Sequence, residues 1–236
     1  IFNQQPMGFY NLETLKEDAK RHGIGVLNPD VNESTAKCLI KDGSVLLGLL
    51  NVKGLGQHGA EGALNAREGE GLFDSLADAM RRTGLQREPL ENLVEAGAFD
   101  RLAPDRRAAL WEIGLRYRPV GAQHLMQFPV EQDVADLPPM SEWETMLGEY
   151  RTMGLYPDGH LMAYVRPHLS SEVASSHDVI GLEDGAEVTV AGLVIRRQHP
   201  QGKTVFITLE DEFGHTPLAV WPKVFDRYRL ALREPV

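Results

Sequence analysis

Disulfides are excluded at once, because Cys38 is the only cysteine in the chain. A lone thiol cannot build a thiolate metal site either, so the default is a reducing, cytoplasmic setting, with Cys38 as a small buried hydrophobe. No run of about 18 apolar residues exists, so no helix is long and apolar enough to cross a membrane and no membrane partner is expected. The opening Ile1-Phe2-Asn3-Gln4-Gln5-Pro6 lacks both an initiator Met and a charged-then-apolar signal segment, and the chain is expected to be an internal piece of a longer one. Nor is there an excess of positive charge, since the net charge is −10. The acidity is local, however. Residues 1–125 carry 15 basic and 17 acidic groups, residues 126–190 carry 2 and 12, and residues 191–236 carry 7 and 5. Both flanks are near neutral and can present a basic face to phosphate. The acidic stretch Glu131 to Asp136 and the run Glu210-Asp211-Glu212 have no histidine at ligand spacing. They are expected to be solvated carboxylates, with no metal site in this chain.

What is present centres on the stretch from Leu46 to Arg67. Gly54-Leu55-Gly56 places two glycines around one apolar residue, between segments with helical spacing. Glycine tolerates positive φ and close backbone approach, and the N–H groups at a following helix start attract anions. Lys53 adds a full charge, and the unit is expected to cradle a phosphate.

Before it, Asn11 is placed to cap a helix with Leu12, Leu15, Ala19 and His22 on one packed face, ended by Gly23. Val26 to Pro29 is extended, and Asp42-Gly43 suits the turn of a β-hairpin. After it, Ser75 caps a helix ending near Gly84, and Leu90, Leu93 and Val94 mark another that stops at Gly97. Ala96-Gly97-Ala98-Phe99 makes a second, weaker hairpin, and a helix from Asp105 to Gly114, anchored by Trp111, closes the region. Paired helix-hairpin-helix units can grip both strands of a duplex through phosphates, reading shape rather than sequence. The Pro119 to Pro139 stretch is an acidic linker, and Ser141 to Glu144 is a capping box. Trp143, Met146, Leu147, Tyr150 and Met153 follow as a packing stripe.

From Glu187 the period changes to two. Strands at Val188 to Ile195, Thr204 to Leu209 and Pro217 to Trp221 precede a helix opened by Pro222. Three strands and a helix match the first part of an OB-fold, a barrel that binds single strands. The fold class is therefore multidomain α+β: a mostly α tandem helix-hairpin-helix region, then an all-β OB-fold incomplete at the C-terminus.

Gln4-Gln5-Pro6-Met7-Gly8-Phe9-Tyr10, Asp30-Val31-Asn32, Val52-Lys53-Gly54-Leu55-Gly56, Leu93 to Asp100, Met153-Gly154-Leu155 with Gly159-His160, and Ala191-Gly192-Leu193-Val194 stand in an order that resembles bacterial DNA polymerase III alpha subunits (family C). The opening motif and Met140-Ser141-Glu142-Trp143-Glu144 are similar to the error-prone, translesion branch. The resemblance covers nearly the whole chain. It implies the end of a fingers domain (1–45), tandem helix-hairpin-helix units (46–118), an acidic linker with a connecting helix (119–185) and a truncated OB domain (186–236). It also implies that the family's polymerase chemistry, two Mg²⁺ ions on palm aspartates, lies before Ile1. No catalytic residue is then expected here, and this segment itself holds no cofactor.

On that resemblance, duplex phosphate is expected at Lys53, Gly54, Leu55, Gly56, Gln57 and His58, and at Gly97 in the second hairpin. Single-stranded template is expected at Arg196, Arg197, Lys203 and Phe206, through a basic groove and a stacking ring. Alternation places Trp221 inside the barrel. Gln123, Met126 and Phe128 lie where replicative relatives carry a peptide that docks into the β sliding clamp; a linker packing on its own protein is an equal reading. Accessory translesion proteins are further partners the family implies. Two other functions stay open: a non-catalytic DNA-binding adaptor built from the same modules, and the replicative alpha subunit itself.

Overall fold

The computed structural model describes residues 1–5, 11–117, 137–199 and 204–232. The chain divides into two compact units, Ile1–Asp158 and Gly159–Val236. That division falls inside the 119–185 stretch expected as linker and connecting helix.

In the first unit, the Asn11 side chain accepts from Thr14 N at 2.8 Å and starts α1 (Leu12–Arg21). Leu12 and Ala19 pack half-buried against the core as expected, but the most deeply buried positions of α1 are polar. Glu13, Thr14, Lys16 and Glu17 are buried, and His22 is exposed. Lys16 Nζ donates to Glu13 at 2.9 Å and to the Tyr156 carbonyl at 3.0 Å, and it also pairs with Glu17. Glu13 accepts from Tyr150 Oη at 2.6 Å and from Tyr156 N at 3.1 Å. Charges enter an interior only when paired, and the partners of this face lie 137 to 143 residues downstream. Local periodicity carries no trace of them.

Three short strands follow, β1 (Val26–Leu27), β2 (Leu39–Lys41) and β3 (Ser44–Leu46), in the order β1-β3-β2. Asp42 and Gly43 turn between β2 and β3 with φ of 49° and 79°, the left-handed pair a two-residue hairpin demands. The approach to the central glycines is not helical as expected. Leu46 pairs with Leu27 and Leu39, and the N–H groups of Leu49 and Leu50 donate to Thr35 and Ala36, both at 3.0 Å. Tertiary bonds claim the donors a helix would need, leaving a single 3-10 turn at Leu49–Asn51.

Helices α2 (Gly56–Glu70), α3 (Leu76–Thr83), α4 (Arg87–Glu95) and α5 (Arg106–Arg116) complete the core. Ser75 caps α3 as its position predicts, accepting from Asp78 N at 3.1 Å, and Asp105, expected as the start of its helix, caps α5 by accepting from Ala108 N at 3.1 Å. Leu47, Leu49, Phe73, Leu76, Leu90, Leu93, Phe99 and Ile113 are all buried in one cluster. Ile113, not Trp111, anchors α5: Trp111 is 45% exposed. Ala109 and Ile113 sit one turn apart on the inner face, and Trp111 lies about 200° round the helix from each.

Helix α6 (Glu142–Met153) begins with the expected capping box at Ser141 and Glu144 and ends at Gly154, in the left-handed conformation. Its inner face carries Met146, Glu149, Thr152 and Met153, while Leu147 is 45% exposed. The expected stripe is thus rotated toward a buried carboxylate.

The second unit holds α7 (Leu161–Val165), β4 (Val173–Ala174), α8 (Ser176–Ile180), β5 (Thr189–Val190), β6 (Leu193–Gln198), β7 (Val205–Glu210), β8 (His215–Val220) and α9 (Pro222–Tyr228). The expected first strand is split. β5 pairs in parallel with β4, and β6-β7-β8 form a separate antiparallel sheet. The Glu210-Asp211-Glu212 carboxylates are not solvated. Glu210 and Asp211 are buried, and Asp211 accepts from Ser176 N at 2.7 Å, Ser176 Oγ at 2.6 Å, and Phe213 N and Gly214 N at 3.0 Å each. Arg166 pairs with Asp211 at 3.1 Å and also with Glu212. Burial by itself would raise the Asp211 carboxyl, but the Ser176, Phe213 and Gly214 donors hold it below the usual range. Trp221 is another correction: it stands just before α9 and is 65% exposed, so it fills no barrel.

Candidate nucleic-acid interface

The first hairpin is built by backbone. Gly54 and Gly56 take φ of +78° and +63°, values that side-chain-bearing residues rarely adopt. Between them Leu55 is buried and its side chain folds back over Gly59, where a Cβ would stand 2.9 Å from Leu55 Cδ1 and 3.2 Å from Leu85 Cδ2. Leu55 therefore anchors the turn rather than facing a ligand with its side chain. Lys53, Gly54, Gly56, Gln57 and His58 are exposed around it. Among the described residues no carbonyl pairs with the N–H groups of Gly56, Gln57 and His58. They are the unpaired donors of a helix start, carrying its partial positive charge. Gln57 Nε2 donates to Glu61 at 2.6 Å.

Two features that hold this turn have no local signal. Asn92 Nδ2, on α4, donates to the Lys53 carbonyl at 2.9 Å. The end of α6 holds Lys53 twice: Lys53 N donates to the Thr152 carbonyl at 2.8 Å, and Lys53 Nζ to the Arg151 carbonyl at 2.9 Å. Arg151 in turn pairs with Glu95, at the end of α4. A helix read as a connector thus ties the two hairpins together.

The second hairpin is a joint, not a cradle. Gly97 takes φ of +82°, is buried, and its N–H donates to the Val94 carbonyl at 3.0 Å. A Cβ there would stand 2.5 Å from Arg106 Nη2, 2.6 Å from Asn28 Nδ2 and 2.9 Å from Asp100 Oδ2. Arg106 is bidentate to Asp100, at 2.8 and 2.7 Å, and reaches the Glu95 carbonyl at 2.9 Å and Glu149 at 2.8 Å. Buried and with its donor engaged by the Val94 carbonyl, Gly97 does not offer a free N–H to phosphate, which corrects its expected role.

In the second unit, the register separates the expected pair of arginines. Arg196 is opposite Thr208 and Gln198 is opposite Phe206, with an irregularity between Val194 and Arg196. Arg196, Gln198, Phe206 and Thr208 therefore share one face, with Arg196 and Phe206 diagonal neighbours. Arg197 is opposite Ile207, on the face that buries Val205 and Ile207. Phe206 is 46% exposed, and both arginines are exposed. Lys203, Gln123, Met126 and Phe128 lie outside the described residues, as do positions 6–10 of the opening motif. No group of three or more His, Cys, Asp or Glu among the described residues could hold a metal ion.

A family model described as a helix-hairpin-helix motif matches residues 23–109, which contain both hairpins. The chain is 39% identical, over 99% of its length, to an error-prone DNA polymerase of Anaeromyxobacter dehalogenans. It is 35% identical over 97% of its length to error-prone DNA polymerase 1 of Rhizobium meliloti, and 34% identical over 98% to an error-prone DNA polymerase of Pseudomonas fluorescens. It spans 22%, 23% and 24% of these three relatives, under a quarter of their length.

Proposed function

We propose, on the premise that this chain is homologous to a segment of the error-prone DNA polymerases, that it is the C-terminal, DNA-holding portion of such an enzyme. The observation that carries the reading is the first hairpin. An exposed turn with two left-handed glycines presents the unpaired N–H groups of α2 beside an exposed lysine, inside a helix-hairpin-helix match. Backbone donors at a helix start recognise a phosphate whatever base it carries. Shape-based grip suits a polymerase that must hold any primer-template duplex. Nucleotide addition in damage-induced translesion synthesis and repair belongs to the full-length protein, whose Mg²⁺ would sit on palm residues outside this chain. Lys53, Gly54, Gly56, Gln57 and His58 position duplex and perform no chemistry.

The second unit is proposed to be OB-like and to hold single-stranded template on the face shared by Arg196 and Phe206. An exposed ring beside a guanidinium is the arrangement on which bases stack and phosphates pair. Docking of Gln123, Met126 and Phe128 to a β sliding clamp, and recruitment by accessory translesion proteins, rest on the family resemblance alone.

Lys53→Glu in the full chain is expected to weaken duplex binding and to flatten the slope of log affinity against log salt by roughly one phosphate contact. Lys53→Gln keeps a donor for the Arg151 carbonyl, so it separates loss of charge from loss of that tie. Unchanged affinity across a salt titration for both variants removes the hairpin from the interface. For the second unit, Phe206→Ala is expected to cost about 1–3 kcal/mol of single-strand affinity with duplex affinity unchanged, measured by fluorescence anisotropy.

A further inference from the structure

Behind the second hairpin lies a buried carboxyl that the DNA-holding role does not use. Glu149, on α6, is fully buried. Its Oε1 accepts from Asn28 Nδ2 at 2.7 Å and pairs with Arg106 Nη1 at 2.8 Å. Its other oxygen, Oε2, has no partner among the described residues, and neither has the buried Oδ1 of the same Asn28. Two acceptors, each left without a donor on two side chains already joined by one bond, are a costly arrangement. One proton satisfies both.

Charge points the same way. Arg106 is shared between Glu149 and Asp100, whose side chain is 41% exposed. The ion pair closes with Asp100 as the anion on the wetter side, so an ionised Glu149 would leave a surplus negative charge in the interior. The other groups acting on Glu149 are Arg106 from α5 and Asp158 beyond α6. Tyr156, also beyond α6, is held protonated by burial and by these acids.

We propose that Glu149 carries a proton on Oε2 in the folded protein and donates it to Asn28 Oδ1, closing a two-bond acid-amide ring. That ring fastens α6, which holds both hairpins, to the segment after β1, and it opens as the pH rises. Desolvation raises the Glu149 carboxyl from 4.5 to about 7 against the pull of Arg106 and Asn28. A carboxyl raised on folding adds stability that is fully present below its unfolded value and is lost as pH rises through its folded value. The window is therefore pH 4.5 to about 7.

Glu149→Gln tests this, because its amide mimics the neutral acid: Nε2 donates to Asn28 Oδ1 while Oε1 keeps the bonds from Asn28 and Arg106. In a Trp221→Phe background, Trp111 and Trp143 report on the first unit alone. Between about pH 5 and about pH 8 the folding equilibrium constant of the parent is expected to fall roughly 70-fold relative to E149Q. Parallel curves for the two proteins would overturn the proposal. Should E149Q fail to fold, carboxyl-labelled parent decides by NMR. A glutamate titrating near neutrality supports the ring, and all glutamates titrating in the ordinary carboxylate range sink it.

Discussion

Gly97→Ala destabilises the first unit by about 4 kcal/mol, read as a lower urea midpoint by Trp111 and Trp143 fluorescence. The left-handed backbone at φ +82° accounts for about 1–2 kcal/mol of that for any residue with a Cβ. The remainder comes from displacement of charge. The new methyl would occupy space 2.5 Å from Arg106 Nη2 and 2.9 Å from Asp100 Oδ2, and disturbing the charged hydrogen bonds of this partly exposed pair costs about 1.5–3 kcal/mol. Gly54→Ala makes the contrast. Its backbone is as left-handed, yet the turn is exposed and the nearest atom is Asn92 Nδ2 at 3.1 Å. Only the backbone cost of about 1–2 kcal/mol is expected there. Equal losses at the two glycines would show that the second hairpin is no more constrained than the first.

Asp211→Ala unfolds the second unit about 3 kcal/mol more easily, because four donors from Ser176, Phe213 and Gly214 lose a buried acceptor and Arg166 keeps only Glu212 of its two partners. The effect depends on pH with a defined sign. The Asp211 carboxyl is held below its ordinary value in the folded state. Its contribution is therefore present above the unfolded pKa and is lost as pH falls through the folded one. The gap between parent and variant is expected to be full at neutral pH and to close in acid. Hydrogen exchange at the Ser176 and Gly214 amides measures the same loss locally, and exchange unaltered by the substitution would contradict it.

Local chemistry was legible in the sequence. Asn11, Ser75, Asp105 and Ser141 cap the helices at which they stand, and Asp42-Gly43 and Gly154 turn the chain as their types demand. Each of these depends on residues within about four positions of each other, the range over which a side chain competes for its own backbone. The candidate site was partly legible for the same reason: the two glycines and Lys53 are contiguous. Asn92, Thr152 and Arg151, which hold that turn, were not, because they come from two other helices. The inner faces of α1 and α6 were legible only in part, in Leu12, Ala19, Met146 and Met153, because hydrophobic periodicity assumes that apolar residues are the buried ones. Here Glu13, Lys16 and Glu149 go inside with partners from distant segments, and Glu17 goes inside beside Lys16.

Where most helices begin and end, the glycine turn that opens α2 and the resemblance to a polymerase family can all be read from residue order. These follow from short-range sterics, capping and residue order. That the two hairpins differ in kind emerges only from packing. Gly54 and Gly97 share a residue type and a positive φ, but one stands exposed and the other is enclosed by Arg106, Asn28 and Asp100. Exposure is a property of what packs around a turn, and the packing groups come from parts of the chain that no local pattern connects.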